Sequence, residues 1–275
     1  MRGPTSHRPR TDNLFIMVQA KKSLGQNFLR YPKATSRIAE IVREQKIETL
    51  VEIGPGKGAL TRPLLEKTDA IIYVIELDER MVELLQEKFA DYVASGRLHI
   101  IYSDILDVNI KELTKGKSYG IVGNLPFYIT GAIMKKFLTE KHQPSYMSFI
   151  TQKEVAQRIV KRDGKESILS LSVEIFGTPK YEMKIAKKYF NPAPKVDAAL
   201  FSIFNISREK LGNISEERFF KIVKTGFAHK RKKLSSNIKE LFDQSIEEIF
   251  SEHSIDINSR AEDIPINTWL ALARK

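Results

Sequence analysis

The apolar positions from residue 49 onward form short continuous runs that alternate with segments of helical spacing. Buried strands of a parallel sheet produce such runs, because both faces of the sheet are covered. Five runs fit this description, at 50–53, 70–77, 98–102, 119–123 and 146–150. Between the second and third runs, Asp78 is expected to cap a helix whose apolar residues recur at helical spacing. Repeated strand–helix units predict an α/β fold with a mostly parallel sheet and helices on both faces.

The pattern changes in the last third of the chain. Two extended runs, at 181–188 and 198–204, flank a proline-rich loop and are expected to pair antiparallel at the edge of the sheet. Beyond residue 204 the apolar spacing is helical only, at 216–227, 234–242, 245–252 and 265–273. We therefore predict three parts, namely a disordered tail at 1–20, an α/β domain at 21–206 and a small all-α domain at 207–275.

The charge balance narrows the class of partner. The 275 residues hold 45 lysines and arginines against 34 aspartates and glutamates, a net charge of +11. Such an excess favours a polyanionic partner, nucleic acid first and an anionic membrane surface second. No apolar stretch approaches the ~20 residues of a membrane span, so we expect no membrane partner and a cytoplasmic protein. The absence of cysteine excludes thiolate metal ligands, and the five histidines lack metal-ligand spacing, so we expect no metal.

A glycine-rich turn follows the first predicted strand, at Gly54, Gly56 and Gly58. Glycines let a ligand approach the backbone, and the helix that follows offers free N–H groups. Glu76 ends the next strand, where a carboxylate can bind both hydroxyls of a ribose. The spacing is G-x-G-x-G rather than the G-x-G-x-x-G of dinucleotide-binding proteins, and Glu52 adds an acid suited to a positively charged ligand. These features favour S-adenosylmethionine over NAD, with a purely structural turn as the alternative.

The tetrapeptide Asn124-Leu125-Pro126-Phe127 stands at the end of the fourth run. Asn124 brings an amide oxygen, and a residue before proline is held extended, so the Leu125 carbonyl is displayed at a fixed angle. Two converging acceptors beside an aromatic ring suit a planar base that carries an exocyclic amine. The alternative is a strand end followed by a structural proline turn. Asp104, after the third run, is expected at the same edge of the sheet, where it could accept a hydrogen bond from the cofactor's adenine.

Six motifs occur in order over roughly residues 21–240 of the chain. They are Gly25-Gln26-Asn27-Phe28-Leu29, Glu52-Ile53-Gly54-Pro55-Gly56, Glu76-Leu77-Asp78, Asn124-Leu125-Pro126-Phe127, Gln152-Lys153-Glu154-Val155 and Phe190-Asn191-Pro192-Ala193-Pro194-Lys195-Val196-Asp197. Together they resemble the ribosomal RNA adenine dimethylase family, whose members transfer methyl groups from S-adenosylmethionine to adenine N6.

The resemblance implies a Rossmann-like class I methyltransferase fold. It implies a cofactor site formed by residues from the N-terminal segment and from four strand ends, namely Asn27, Leu29, Gly54, Gly56, Glu76, Asp104 and Asn124. It also implies a catalytic target site formed by Asn124, Leu125, Pro126 and Phe127, with Phe127 and Phe190 on the two faces of the adenine. Tyr128 and Gly131 depart from the family's commonest residues next to the tetrapeptide.

A basic run, Lys230-Arg231-Lys232-Lys233, is predicted to form part of a helical face that binds RNA phosphates, with a merely solvated surface as the alternative. We expect a monomer that acts on small-subunit ribosomal RNA in a pre-ribosomal particle. Two other functions are considered. One is methylation of adenine in large-subunit ribosomal RNA, which confers macrolide resistance. The other is a non-catalytic nucleic-acid-binding factor of the mitochondrial transcription type.

Overall fold

The computed structural model describes residues 19–21, 24–126 and 128–275. Most of the tail predicted at 1–20 therefore lies outside the described residues. The strands are β1 (Phe28–Leu29), β2 (Thr49–Ile53), β3 (Ile71–Glu76), β4 (Leu98–Tyr102), β5 (Gly120–Asn124), β6 (Tyr146–Gln152), β7 (Thr178–Ile185), β8 (Phe190–Asn191) and β9 (Ala198–Phe204). The helices up to the end of the sheet are α1 (Pro32–Glu44), α2 (Thr61–Lys67), α3 (Glu79–Lys88), α4 (Ala90–Ala94), α5 (Ile110–Leu113), α6 (Thr130–Thr139), α7 (Lys153–Ile159) and α8 (Ile168–Glu174). The helices beyond it are α9 (Glu216–Gly226), α10 (Leu234–Ile238), α11 (Ile246–Glu252) and α12 (Ile266–Arg274).

Seven of these strands form one sheet in the order β4-β3-β2-β5-β6-β9-β7. The first five run parallel, and β9 and β7 add antiparallel at one edge. The predicted α/β fold with a mostly parallel sheet is confirmed. In such a sheet the carboxyl ends of parallel strands share one edge, so the loops after β2, β3, β4 and β5 meet there.

The edge strand β7 lies earlier in the chain than predicted. It ends at Ile185, and residues 187–189 form a short 3-10 turn in place of the strand expected up to residue 188. The Lys187 N–H donates to the Asp197 carboxylate at 3.0 Å, which turns the backbone away from the sheet. The carboxylate supplies the acceptor that a strand partner would otherwise provide.

Two N-terminal elements were not predicted. Helix α1 starts with Pro32 and buries Ile38, Ile41 and Val42 along one face. Its proline at the first position and its apolar spacing are both helix signals. The two-residue strand β1 pairs antiparallel with β8, so the segment before α1 is attached to a part of the chain some 160 residues away.

The helices after β9 share a hydrophobic core with the sheet. Trp269 of α12 is fully buried, and its indole N–H donates to the Ile264 carbonyl at 2.9 Å. Gly226 of α9 faces this ring, where an added Cβ would lie only 2.4 Å from it. The division at residue 207 stays a prediction. Across the described residues, no helix is long and apolar enough to cross a membrane.

Candidate active site

A cavity of about 490 Å³ lies at the carboxyl ends of β2, β3, β4 and β5. Its size falls in the range of small-molecule sites. The described residues of the predicted cofactor and target sites all line it, namely Asn27, Leu29, Gly54, Gly56, Glu76, Asp104, Asn124, Leu125, Pro126 and Phe190. Phe127 lies outside the described residues. The structure thus brings the two predicted sites together, and the individual roles of these residues stay predictions.

The turn after β2 needs its glycines. Gly54 and Gly56 adopt φ angles of +62° and +52°, a region that side chains disfavour. A Cβ on Gly56 would also lie 3.0 Å from the ring of Phe28, which covers the turn. The backbone of the turn therefore forms one wall of the cavity, with the N-terminal segment across it.

Glu76, the last residue of β3, holds this turn in place. Its Oε2 accepts from the Gly56 N–H at 3.0 Å, and its Oε1 accepts from the N–H groups of Leu77 and Asp78 at 2.9 and 3.0 Å. Burial raises the pKa of Glu76, while these hydrogen bonds oppose the rise. A carboxylate offers about four acceptor positions, so one remains on Oε2 for a ligand hydroxyl. The contact of Glu76 with both hydroxyls of a ribose stays a prediction.

Glu52 lies on β2 beneath the glycine turn and is 1% exposed. Burial raises the pKa of its carboxyl from 4.5 to about 8, and the negative charge of Glu76 adds to the rise. Its Oε2 has no hydrogen-bond partner among the described residues. At neutral pH this carboxyl therefore carries a proton, in contrast to the charged group expected opposite a positive ligand.

Glu52→Gln is expected to stabilise the protein increasingly as the pH rises. Between pH 4.5 and 8 the folded chain holds a proton on Glu52 that the unfolded chain has lost, so the stability of the wild type falls through this window. The advantage of the variant in unfolding free energy should be larger at pH 8 than at pH 5 by at least about 1 kcal/mol. Urea unfolding at both pH values measures it. Glu48→Gln, at an exposed glutamate just before β2, is the control, and an equal advantage at the two pH values would contradict the protonated state.

Asn124 ends β5 and borders the cavity. Its Nδ2 donates to the carbonyl of Asn27 at 3.0 Å. Leu125 is buried, and its N–H donates to the Ile150 carbonyl of β6 at 3.0 Å, which fixes the backbone after the strand. No described residue donates to the Asn124 Oδ1 or to the Leu125 carbonyl. Two acceptors at the cavity thus remain available for a ligand amine.

Phe190 lies in β8 and reaches the cavity with only 5% of its surface exposed. It pairs with Leu29 of β1, and the neighbouring ring of Tyr189 stacks on Tyr31 at 4.1 Å. Tyr128, by contrast, is 68% exposed, and its ring packs over Gly25 of the N-terminal segment. Phe190 is therefore anchored by the same segment that crosses the cavity.

The basic run at 230–233 does not itself lie on a helix, in agreement with the predicted helix bounds of 216–227 and 234–242. The run lies in the turn between α9 and α10, where all four side chains are exposed. The Asn237 side chain donates to the Gly226 carbonyl at 2.6 Å, which satisfies an acceptor at the end of α9 and stops the helix. Lys230 borders a second cavity of about 900 Å³, which extends to Gly131 at the start of α6.

Sequence reasoning also missed the role of Asp78. It precedes α3, but its carboxylate does not cap the helix. Its fully buried side chain instead accepts from Arg80 at 2.7 and 3.0 Å and from the Gln26 Nε2 at 3.0 Å. The Arg80 guanidinium holds the pKa of Asp78 well below its usual range. Asp78 thus ties the N-terminal segment to the end of β3.

The sequence matches known proteins over nearly its whole length. The model of the family described as ribosomal RNA adenine dimethylase matches residues 17–275. A relative from Dehalococcoides mccartyi, named ribosomal RNA small subunit methyltransferase A, is 34% identical over 93% of this chain and 88% of its own length. A relative of the same name from Fusobacterium nucleatum is 35% identical over 92% of this chain and 96% of its own length.

Two solved structures share the fold. The 23S rRNA methyltransferase ErmE superposes with a TM-score of 0.75 at 23% identity, over 90% of this chain and 98% of that one. A dimethyladenosine transferase from Plasmodium falciparum superposes with a TM-score of 0.72 at 20% identity, over 89% and 95%. At these identities the likeness concerns the fold alone, and it confirms the Rossmann-like methyltransferase architecture. By its sequence over residues 17–275, the chain belongs to the ribosomal RNA adenine dimethylase family.

Proposed function

We propose that this protein dimethylates the N6 amine of adenine in small-subunit ribosomal RNA, with S-adenosylmethionine as the methyl donor. Family membership and the names of relatives at 33–35% identity support this activity. We also propose that it acts as a cytoplasmic monomer on a pre-ribosomal particle. The net charge of +11 is consistent with an RNA partner.

One observation carries the proposal. A single cavity is bordered on one side by the glycine turn and Glu76 and on the other by Asn124 and Leu125. The glycine turn and Glu76 suit the amino acid and ribose parts of the cofactor, because the turn lets a ligand come close to the backbone and Glu76 offers a carboxylate acceptor. Asn124 Oδ1 and the Leu125 carbonyl are two acceptors to which no described residue donates a hydrogen bond. A methyl donor and an amine acceptor can therefore meet in one cavity.

The cofactor supplies an electrophilic methyl group on a sulfonium sulfur. The chain's own residues act on the amine. Asn124 Oδ1 and the Leu125 carbonyl would each accept one N–H of the adenine amine, which draws the nitrogen towards tetrahedral geometry and frees its lone pair from the ring. Transfer would form the N–C bond at the amine while the donor leaves with the electron pair of its C–S bond, and the resulting ammonium would lose its proton to solvent. Because that ammonium is strongly acidic, no side-chain base is required.

The second methylation uses the same acceptors with one difference. A monomethylated amine has a single N–H, so only one of Asn124 Oδ1 and the Leu125 carbonyl is engaged at a time. The first methyl must then lie towards the other acceptor. Stacking against Phe190, and in our proposal against Phe127, would hold the ring in place through both transfers.

Neutralising the basic run at 230–233 is expected to weaken RNA binding. The four side chains are exposed in one turn, so contacts with phosphates would release counterions. Replacing all four by glutamine should flatten the salt dependence of binding by about one slope unit per lost contact, without changing cofactor affinity. Filter binding across a salt series measures the slope. An unaltered slope would mean that the run is only a solvated surface.

The alternatives differ in substrate or in chemistry. ErmE, a 23S rRNA methyltransferase, shares the fold, but its 23% identity supports no substrate assignment. A non-catalytic nucleic-acid-binding factor would not need available acceptors at Asn124 and Leu125. Labelled methyl transfer into purified small subunits and large subunits, offered separately, distinguishes the three functions. We expect label in small-subunit RNA only; label in large-subunit RNA favours the first alternative and no transfer favours the second.

A further inference from the structure

Residues 25–30, termed here the strap, line the cavity and contact three other parts of the chain. The Asn27 carbonyl accepts from Asn124, the β1 strand pairs with Phe190 and Asn191, and Gln26 reaches Asp78. The strap therefore touches the end of β3, the end of β5 and the β8 segment at once. A change at one end of the strap can be transmitted to the proposed target site.

The contact between Asn27 and Asn124 fixes which way the Asn124 amide faces. A carbonyl oxygen only accepts hydrogen bonds, so the atom of Asn124 that lies 3.0 Å from it is the NH₂ group. The amide oxygen is then the atom left for the cavity, where no described residue donates to it. With the opposite orientation, Asn124 would present a donor to the adenine amine, which is itself a donor.

The position of the Asn27 carbonyl depends on its neighbour Gln26. Both polar atoms of the Gln26 amide are hydrogen-bonded. Its Oε1 accepts from the Lys21 N–H at 2.8 Å, and its Nε2 donates to the Asp78 carboxylate at 3.0 Å. Asp78 is itself fixed by Arg80, with which it shares two hydrogen bonds. Gln26 is thus anchored to a buried carboxylate one residue before the carbonyl that orients Asn124.

We propose that Gln26 is a positioning residue that sets the orientation of the Asn124 amide through the Asn27 carbonyl. This inference rests on the proposed function of Asn124 as an acceptor for the target amine. Gln26 itself needs no contact with the target base. We therefore expect its effect on the rate to depend on Asn124.

A double-mutant cycle tests the coupling. Single-turnover methylation at saturating cofactor is measured for the wild type, Gln26→Ala, Asn124→Ala and the double variant. We expect Gln26→Ala to slow methyl transfer about tenfold when Asn124 is present and less than about twofold when residue 124 has already been changed to alanine. Equal losses in both backgrounds would overturn the proposal. Gln244→Ala is the matched control, because it removes a similar glutamine–carboxylate hydrogen bond, to Glu252, on the exposed surface of the C-terminal helices.

A second measurement does not depend on activity. The side-chain NH₂ signal of Asn124, assigned by its loss in Asn124→Ala, should show slow hydrogen exchange in the wild type and at least about tenfold faster exchange in Gln26→Ala. Unchanged exchange in Gln26→Ala would overturn the positioning role. If the wild type transfers no methyl group at all, the proposed function fails, while the exchange result still decides whether Gln26 orients Asn124.

Discussion

Asn124→Ala is expected to slow single-turnover methyl transfer by about 10²–10³, comparable with losing one preorganised polar contact to a transition state. The variant loses the acceptor at the end of β5, which has no described donor within the protein. The Leu125 carbonyl alone would then hold the amine, and the nitrogen lone pair would stay delocalised in the ring. RNA affinity should change little, because the phosphate contacts are expected elsewhere.

Rapid-quench methylation of small subunits, with enzyme in excess, measures this rate. Asn213→Ala changes an exposed asparagine in the loop before α9 and should leave the rate unchanged. Near-normal transfer by Asn124→Ala would remove the residue from the target site. The fold and the family would be unaffected by that result.

Glu76→Ala is expected to weaken S-adenosylmethionine binding by roughly 1.5–3 kcal/mol, or about 10- to 150-fold. The substitution removes the acceptor left on Oε2 and also frees the N–H groups of Gly56, Leu77 and Asp78. The Gly56 side of the glycine turn then loses its hydrogen bond to β3, so this part of the cavity wall is less well ordered before the cofactor binds.

Calorimetry of cofactor binding measures this loss, and thermal unfolding checks that the variant is folded. Glu79→Ala, at an exposed position in the first turn of α3, is the matched control. Wild-type affinity in a folded Glu76→Ala protein would rule out a cofactor role for this carboxylate.

Local sequence patterns predicted the parallel sheet because its strands and helices bury continuous or periodic apolar residues. They could not predict β1, since two residues carry no periodicity and their partner β8 lies far along the chain. The same applies to the Gln26–Asp78 contact, which joins residues 52 positions apart. The residues of the strap were recognisable as a motif, but their contacts depend on tertiary structure.

The basic run at 230–233 was assigned to a helical face, although it falls between the predicted helices at 216–227 and 234–242, and the structure has it in the turn between α9 and α10. Lysine and arginine are good helix formers. Here, however, the Asn237 side chain donates to the Gly226 carbonyl at the end of α9, and the Leu234 N–H donates to the Ser259 carbonyl. These tertiary contacts fix a turn. The protonation of Glu52 could not be predicted either, because it depends on the burial of the carboxyl group, which the sequence does not show.

The proposed enzyme transfers two methyl groups to one adenine amine. Small subunits from a strain that lacks this modification are incubated with the protein and isotope-labelled S-adenosylmethionine, and the RNA is digested to nucleosides for mass spectrometry. We predict labelled N6,N6-dimethyladenosine, formed through a monomethyl intermediate and strongly reduced with Asn124→Ala. Label confined to another nucleoside, or no label in RNA that the wild-type protein binds, would contradict the claim.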